Sequence, residues 1–185
     1  MKKFFVIAAV LLAACTVVNA ENTTRIGSEH RVDYGAYLGW STGDLAWYGM
    51  AFFDLNANNS NFRTRLSLGL AERWFYNAGV DANGKPISNG SFNPNLGLNF
   101  QYLLKLSDAF YLYPSVGVYG ERFGKQGYNY HPYAKKLNFG VEGGLGLEIQ
   151  MSNNFGIFAE GTYQHMFTES VSNRFGARAG IVFHL

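Results

Sequence analysis

From Asn95 to Leu106, the residues Leu96, Leu98, Phe100, Tyr102, Leu104 and Leu106 alternate with Asn95, Gly97, Asn99, Gln101, Leu103 and Lys105. A second run sets Leu137, Phe139, Val141, Gly143, Leu145, Leu147, Ile149 and Met151 against Asn138, Gly140, Glu142, Gly144, Gly146, Glu148 and Gln150. Side chains of a β-strand point to opposite faces in turn, so a sustained period of two predicts strand. These runs exceed the about 5 to 6 residues usual in globular proteins. They reach the roughly 9 to 11 residues that a tilted strand needs to cross hydrocarbon. A soluble barrel turns its apolar face inward; a barrel in a membrane turns it outward and keeps the charged face inside.

The same template along the chain predicts eight strands, at 31–41, 46–55, 62–76, 94–106, 109–122, 136–151, 155–167 and 174–185. The second is the least regular, because Trp47 to Leu55 is apolar in both phases. The fold class that follows is all-β, a closed antiparallel eight-stranded transmembrane barrel, since closure alone removes unpaired edges. Connections sort by length. At the end that carries both termini lie Asn56 to Asn61, Ser107-Asp108 and Ser152-Asn153-Asn154, while the longer Asn77 to Asn93 and Gly124 to Lys135 fall at the opposite end. Aromatic residues band likewise: Trp40, Trp74, Tyr76, Tyr163, Phe167 and Phe175 near one rim, Tyr34, Phe110, Phe155 and Phe183 near the other. Amphipathic rings favour the headgroup level of a bilayer, so two girdles are expected. An aromatic content of 17%, with 22 glycines and only 4 prolines, suits such a sheet.

The polar phase carries the charges. Expected inward are Asp33, Glu121, Glu142, Glu148 and Glu160 against Arg63, Arg65, Arg73, Lys105, Arg174 and Arg178. Buried charges need partners, and eight strands enclose only enough room for side chains. An ion-pair plug is expected, with no wide pore. Pairing about the Ser152 to Asn154 turn makes Glu148 and Glu160 diagonal neighbours at roughly 7 to 8 Å, the separation of an inverting glycosidase's acid and base. A filled interior admits no sugar polymer, and arginines are at hand, so both carboxylates are read as structural.

The N-terminus has the pattern of an export signal, with Lys2 and Lys3 before an uncharged stretch from Phe4 to Val18 and a small-x-small site at Val18-Asn19-Ala20. That stretch is too short for a spanning helix. The expected division is a signal peptide at 1–20, an N-terminal segment at 21–30 and a barrel at 31–185. Leu12-Ala13-Ala14-Cys15 resembles a bacterial lipobox, but a barrel already in the membrane gains little from a chain worth about 0.8 kcal/mol per buried CH₂. Cys15, the only cysteine, is therefore expected to leave with the signal. The formal charge of +2 comes from Lys2 and Lys3; without them 13 basic residues balance 13 acidic ones. Near-neutrality argues against nucleic acid as a partner.

The C-terminus, Arg178 to Leu185 (RAGIVFHL), places Arg178, Gly180, Phe183 and Leu185 in the order polar, glycine, hydrophobic, hydrophobic. It resembles the terminal-strand motif of outer-membrane barrel proteins. Over 31–185 the chain resembles the small barrel group that includes the outer-membrane protein X type and the membrane domain of outer-membrane protein A. That resemblance implies the outer membrane of a Gram-negative bacterium, contact with its lipid and lipopolysaccharide, and delivery by the barrel assembly machinery through those four residues. It makes the end with the short turns periplasmic. For function it is poor, since such barrels include structural proteins, adhesins, conduits and lipid A enzymes.

Other motifs are weak. Gly140-Val141-Glu142-Gly143-Gly144-Leu145-Gly146 has the glycines of a phosphate loop without a helix after it. His30, His131, His165 and His184 have no metal-site spacing. The lipid A deacylases carry His-x-Ser-Asn with a downstream glutamate; here His165 is followed by Phe167 in the nucleophile's place. A displaced nucleophile at Ser170, with Glu169 orienting His165, crosses a strand-to-loop boundary, and a girdle role for His165 is the preferred reading. No catalytic residue, cofactor or metal is expected. The expected function is structural or surface-binding through extracellular loops, with a lipid A-modifying enzyme or a narrow conduit as alternatives. Tyr128, Tyr130, His131, Tyr133 and Lys135 form the candidate patch for an extracellular ligand, tyrosines among basic residues. Mass spectrometry of the mature protein is expected to find Glu21 at the N-terminus; a diacylglyceryl group on Cys15 would show the lipobox in use.

Overall fold

A computed structural model describes residues 32–42, 46–57, 60–75, 89–122, 137–167 and 173–185. The strands are β1 (Val32–Ser41), β2 (Ala46–Asn56), β3 (Phe62–Phe75), β4 (Asn89–Tyr102), β5 (Leu104–Lys105), β6 (Phe110–Arg122), β7 (Leu137–Ser152), β8 (Phe155–Met166) and β9 (Asn173–His184). β4 and β5 are consecutive pieces of one barrel strand, broken at Leu103, and both pair with β6. Every pairing is antiparallel, and β1 pairs with β9 to complete a closed eight-stranded barrel.

Closure fixes the stagger. Stepping from Asp33 across paired residues gives Asp54, Arg65, Asn99, Gly117, Glu142, Gln164 and Arg174. Across the closing seam, however, Asp33 faces His184. The sheet therefore returns ten residues out of step along β9, from 174 to 184. A stagger of that size tilts the strands, by about 35 to 45° in barrels of this kind.

The tilt and the alternation together place the apolar phase outside. Leu38, Phe53, Leu66, Leu68, Leu70, Leu96, Phe100, Val116, Val118 and Leu145 are all exposed. Such a belt is untenable in water and is what hydrocarbon requires. Rings cluster at both rims. Tyr34 stacks on Phe183 at 5.3 Å, Phe155 lies 5.4 Å from Phe183, and Phe62 meets Tyr102 at 4.9 Å near the periplasmic end. Tyr163 and Phe175 pair at 5.1 Å near the other.

Two details depart from the sequence reading. Residues 89–93, expected in a loop ending at Asn93, extend β4, with Asn89 opposite Phe75 and Pro94 opposite Leu70. Their composition is that of a loop, and the long β3 supplies the partner that holds them extended. Lys105, expected to point inward, sits half-buried at the periplasmic rim, where Nζ donates to Asp108 at 2.8 Å. Leu103 takes an inward place just before it and is fully buried. The side chains of Arg73 and Trp74, and the residues Arg31 and Tyr76, lie outside the described set.

An outward Leu68→Arg is expected to lower stability by about 2 to 4 kcal/mol, against roughly 0 to 1 for Leu106→Arg in the rim turn, as read by urea unfolding in liposomes. Equal losses at the two positions would contradict the placement of the belt.

Candidate functional site

The inward phase buries polar and charged side chains: Asp33, Asp54, Arg63, Arg65, Glu121, Glu142, Glu148, Glu160, Arg174, Arg178 and His184 are each at most 4% exposed. They are stacked along the bore. At the periplasmic end His184 Nδ1 lies 3.0 Å from Asp33 Oδ1, and Asn56 donates its amide to the other oxygen at 2.9 Å. Above it, the Arg63 guanidinium donates to Glu148 and to Gln101, both at 2.6 Å. Arg65 makes a bidentate pair with Asp54, both bonds 2.8 Å, and Asp54 also lies 3.4 Å from Arg63. Two parallel charge-assisted bonds give such a pair directional as well as electrostatic strength.

Further out, Arg178 joins two carboxylates. Its Nη1 donates to Glu142 at 2.9 Å, while Nη2 and Nε donate to the two oxygens of Glu160 at 2.9 and 3.0 Å. Glu160 also accepts from Ser115 at 2.6 Å, and Gln164 donates to Glu142. Arg174 and Glu121 pair at 3.2 Å nearest the outer rim. The glycines of β7 make room for this cluster. A Cβ on Gly144 would stand 2.5 Å from Glu160 Oε1 and 2.7 Å from Ser115 Oγ. The same atom on Gly146 would stand 2.2 Å from the Tyr113 ring. Any larger side chain there would force the carboxylate or the ring out of the bore.

The eight residues expected to form the interior network are thus all inside, and contacts such as Asp54 between Arg63 and Arg65 link neighbouring pairs. Arg174, also expected inward, joins them. Glu148 and Glu160 are diagonal across β7 and β8, since Glu148 faces Phe158 and Glu160 faces Gly146. Each is bonded to a different arginine, Glu148 to Arg63 and Glu160 to Arg178.

Asp54 and the interior aromatics were not expected. Asp54 shares its phase with Tyr48, Met50 and Phe52, all buried, and this apolar inward face is what blurred the alternation of β2. The signal present was one acidic residue in phase with three inward-sized apolar ones. His165 is on the outward phase at the outer rim, where Nδ1 lies 2.9 Å from Asn173 Oδ1 and the ring meets Phe167 edge-on at 5.7 Å. Glu169 and Ser170, and the loop residues Tyr128, Tyr130, His131, Tyr133 and Lys135, lie outside the described residues. Among the described residues no group of three or more His, Cys, Asp or Glu is placed to hold a metal.

No protein-family model and no curated protein matches the chain. Solved structures do. The N-terminal β-barrel domain of Pseudomonas aeruginosa OprF superposes with a TM-score of 0.59 at 15% identity, covering 83% of this chain and 96% of that one. Neisserial surface protein A gives 0.55 at 10% identity, with 83% and 96% covered. A major outer membrane protein from Thermus thermophilus gives 0.55 at 14% identity, with 84% and 100% covered. At these identities the likeness concerns the fold, which is that of the small eight-stranded outer-membrane β-barrels.

Removing one member of a buried pair leaves the other charge unpaired, at about 3 to 5 kcal/mol. Arg178→Met is expected to destabilise the barrel by that amount, with part of it regained in Arg178→Met/Glu142→Gln/Glu160→Gln; the readout is urea unfolding in liposomes. No recovery would mean that the guanidinium stabilises by packing on Tyr37, 5.1 Å below it, more than by charge.

Proposed function

From an eight-stranded outer-membrane barrel fold, we propose a non-enzymatic integral protein of a Gram-negative outer membrane that works through its extracellular loops and not through its bore. The observation that carries this reading is the filled interior. The stacked pairs Arg63–Glu148, Arg65–Asp54, Arg178–Glu160 and Arg174–Glu121 occupy successive levels of the lumen. With the bore occupied and the outer face apolar, the surface left for specific recognition is at the rims. Among the outer connections, the sequence of 124–135 supplies the candidate patch, since Tyr128, Tyr130, His131, Tyr133 and Lys135 combine aromatic side chains with positive charge. Rigid aromatics with neighbouring cations suit an extracellular ligand bearing sugar rings or phosphate, lipopolysaccharide included.

The terminal strand supports the rest of the proposal. Phe183 is stacked in the periplasmic girdle and Arg178 is committed to the interior. Gly180 is pressed against β1, where a Cβ would stand 2.3 Å from the Ala36 carbonyl oxygen. Leu185 donates its backbone N–H to the Val32 carbonyl at 3.2 Å, so the four residues proposed to be read by the assembly machinery also seat the closing seam, and recognition and closure use one strand.

Replacing residues 124–135 by a short Gly-Ser turn is expected to leave a heat-modifiable barrel in the outer-membrane fraction while abolishing whatever surface binding the wild type shows to host carbohydrate arrays or to purified lipopolysaccharide. Binding that survives the replacement, or an altered lipid A mass spectrum in a strain lacking the gene and reversed by complementation, would refute the proposal.

A further inference from the structure

One level of the bore differs from those above and below it. The Arg65 guanidinium carbon lies 3.8 Å from the centre of the Phe52 ring and 4.6 Å from that of Phe158. The two rings meet edge-on at 5.7 Å. Tyr37 contacts both, at 5.9 and 6.1 Å, and Tyr113, fully buried, carries Arg63 over its ring at 5.2 Å. The rings lie across the lumen because their neighbours are glycines. A Cβ on Gly35 would stand 2.5 Å from Phe52 Cζ, and one on Gly146 2.2 Å from Tyr113 Cζ. The two bonds that Arg65 donates to Asp54 on β2 stop it from swinging aside.

Polar lining flanks this level on both sides. Within the described residues, buried polar atoms with no protein hydrogen-bond partner occur further out, on Asn95 and Thr162, further in, on Gln101 Nε2 and Gln150 Oε1, and on Arg65 Nη1 within the layer. Buried polar atoms are paired with protein or with ordered water. Between these polar stretches the level itself sets the rings of Phe52, Phe158, Tyr37 and Tyr113 across the bore.

We propose that the Arg65–Phe52–Phe158 layer, backed by Tyr37 and Tyr113, is the barrier that closes the barrel to ions. An ion moving along the bore meets at this level apolar rings and a guanidinium held in place by Asp54. The outer ion pairs of Arg178 are then not the seal, and breaking them leaves the barrel closed. The inference presupposes a membrane-spanning barrel, which a heat-modifiable gel band and insertion into vesicles report separately from conductance.

The test is single-channel recording in planar bilayers with the full mature chain. Wild type is expected to be silent. Phe52→Ala/Phe158→Ala is expected to give discrete openings at least tenfold more often than wild type, and Phe52→Leu/Phe158→Leu, which keeps most of the apolar volume, smaller ones. Arg178→Met is expected to stay silent. Openings in wild type or in Arg178→Met, or silence in a correctly inserted Phe52→Ala/Phe158→Ala barrel, would overturn the proposal. Should the alanine pair fail to insert, the leucine pair and Arg178→Met decide the matter in the same way.

Discussion

Hydrocarbon offers no water to the peptide backbone, so a sheet within it must pair every strand on both sides. Here that requirement is met at one seam, β1 against β9, where ten residues of stagger are absorbed. Everything else in the molecule is arranged around that closure. The tilt it imposes brings residues far apart in the chain to one level of the bore. Arg63 reaches Glu148 and Arg178 reaches Glu142 only because the sheet is rolled to this radius and slope. A different stagger would leave each of these charges facing another partner or none.

The interior charges are a consequence of the same geometry. With the apolar phase given to lipid, the other phase must fill a narrow lumen with polar side chains, and desolvated charges are tolerable only in pairs of good geometry. The arginines meet the condition by bonding more than one acceptor: Arg178 spans Glu142 and Glu160, Arg63 spans Glu148 and Gln101. Replacing buried pairs by an apolar filling is often neutral or stabilising. Their value lies in register, since sliding a neighbouring strand by two residues keeps its faces but breaks the pairs.

Much of this was legible in the residues. Strands with strict alternation, such as 94–106 and 136–151, announced their faces, and the odd and even connections announced the two ends. Asp33, Arg63, Arg65, Glu121, Glu142, Glu148, Glu160 and Arg178 fell on the inward phase by counting alone. Legibility failed where periodicity stopped being the deciding signal. In β2, Tyr48, Met50 and Phe52 are apolar yet inward, because they build the ring layer, and so Asp54 went unnoticed among them. Residues 89–93 have turn composition and are strand because β3 is long enough to hold them. Lys105 has the inward phase and a rim position, since the break at Leu103 ends regular alternation just before the turn.

By itself the sequence determined the class: a period of two over membrane-crossing lengths, with the charges on one phase, leaves only a closed barrel with lipid outside. Where the alternation is regular it also determined which residues enter the bore, because the face of a residue is a local property of the pleat. It did not determine which of them meet. Partners depend on the stagger, which is a property of the whole closed sheet and is set only when the last strand finds the first. The pairing of Arg178 with Glu142 and Glu160, the clamp of Asp54 on Arg65, and the ring layer across the lumen were therefore decided by tertiary structure alone.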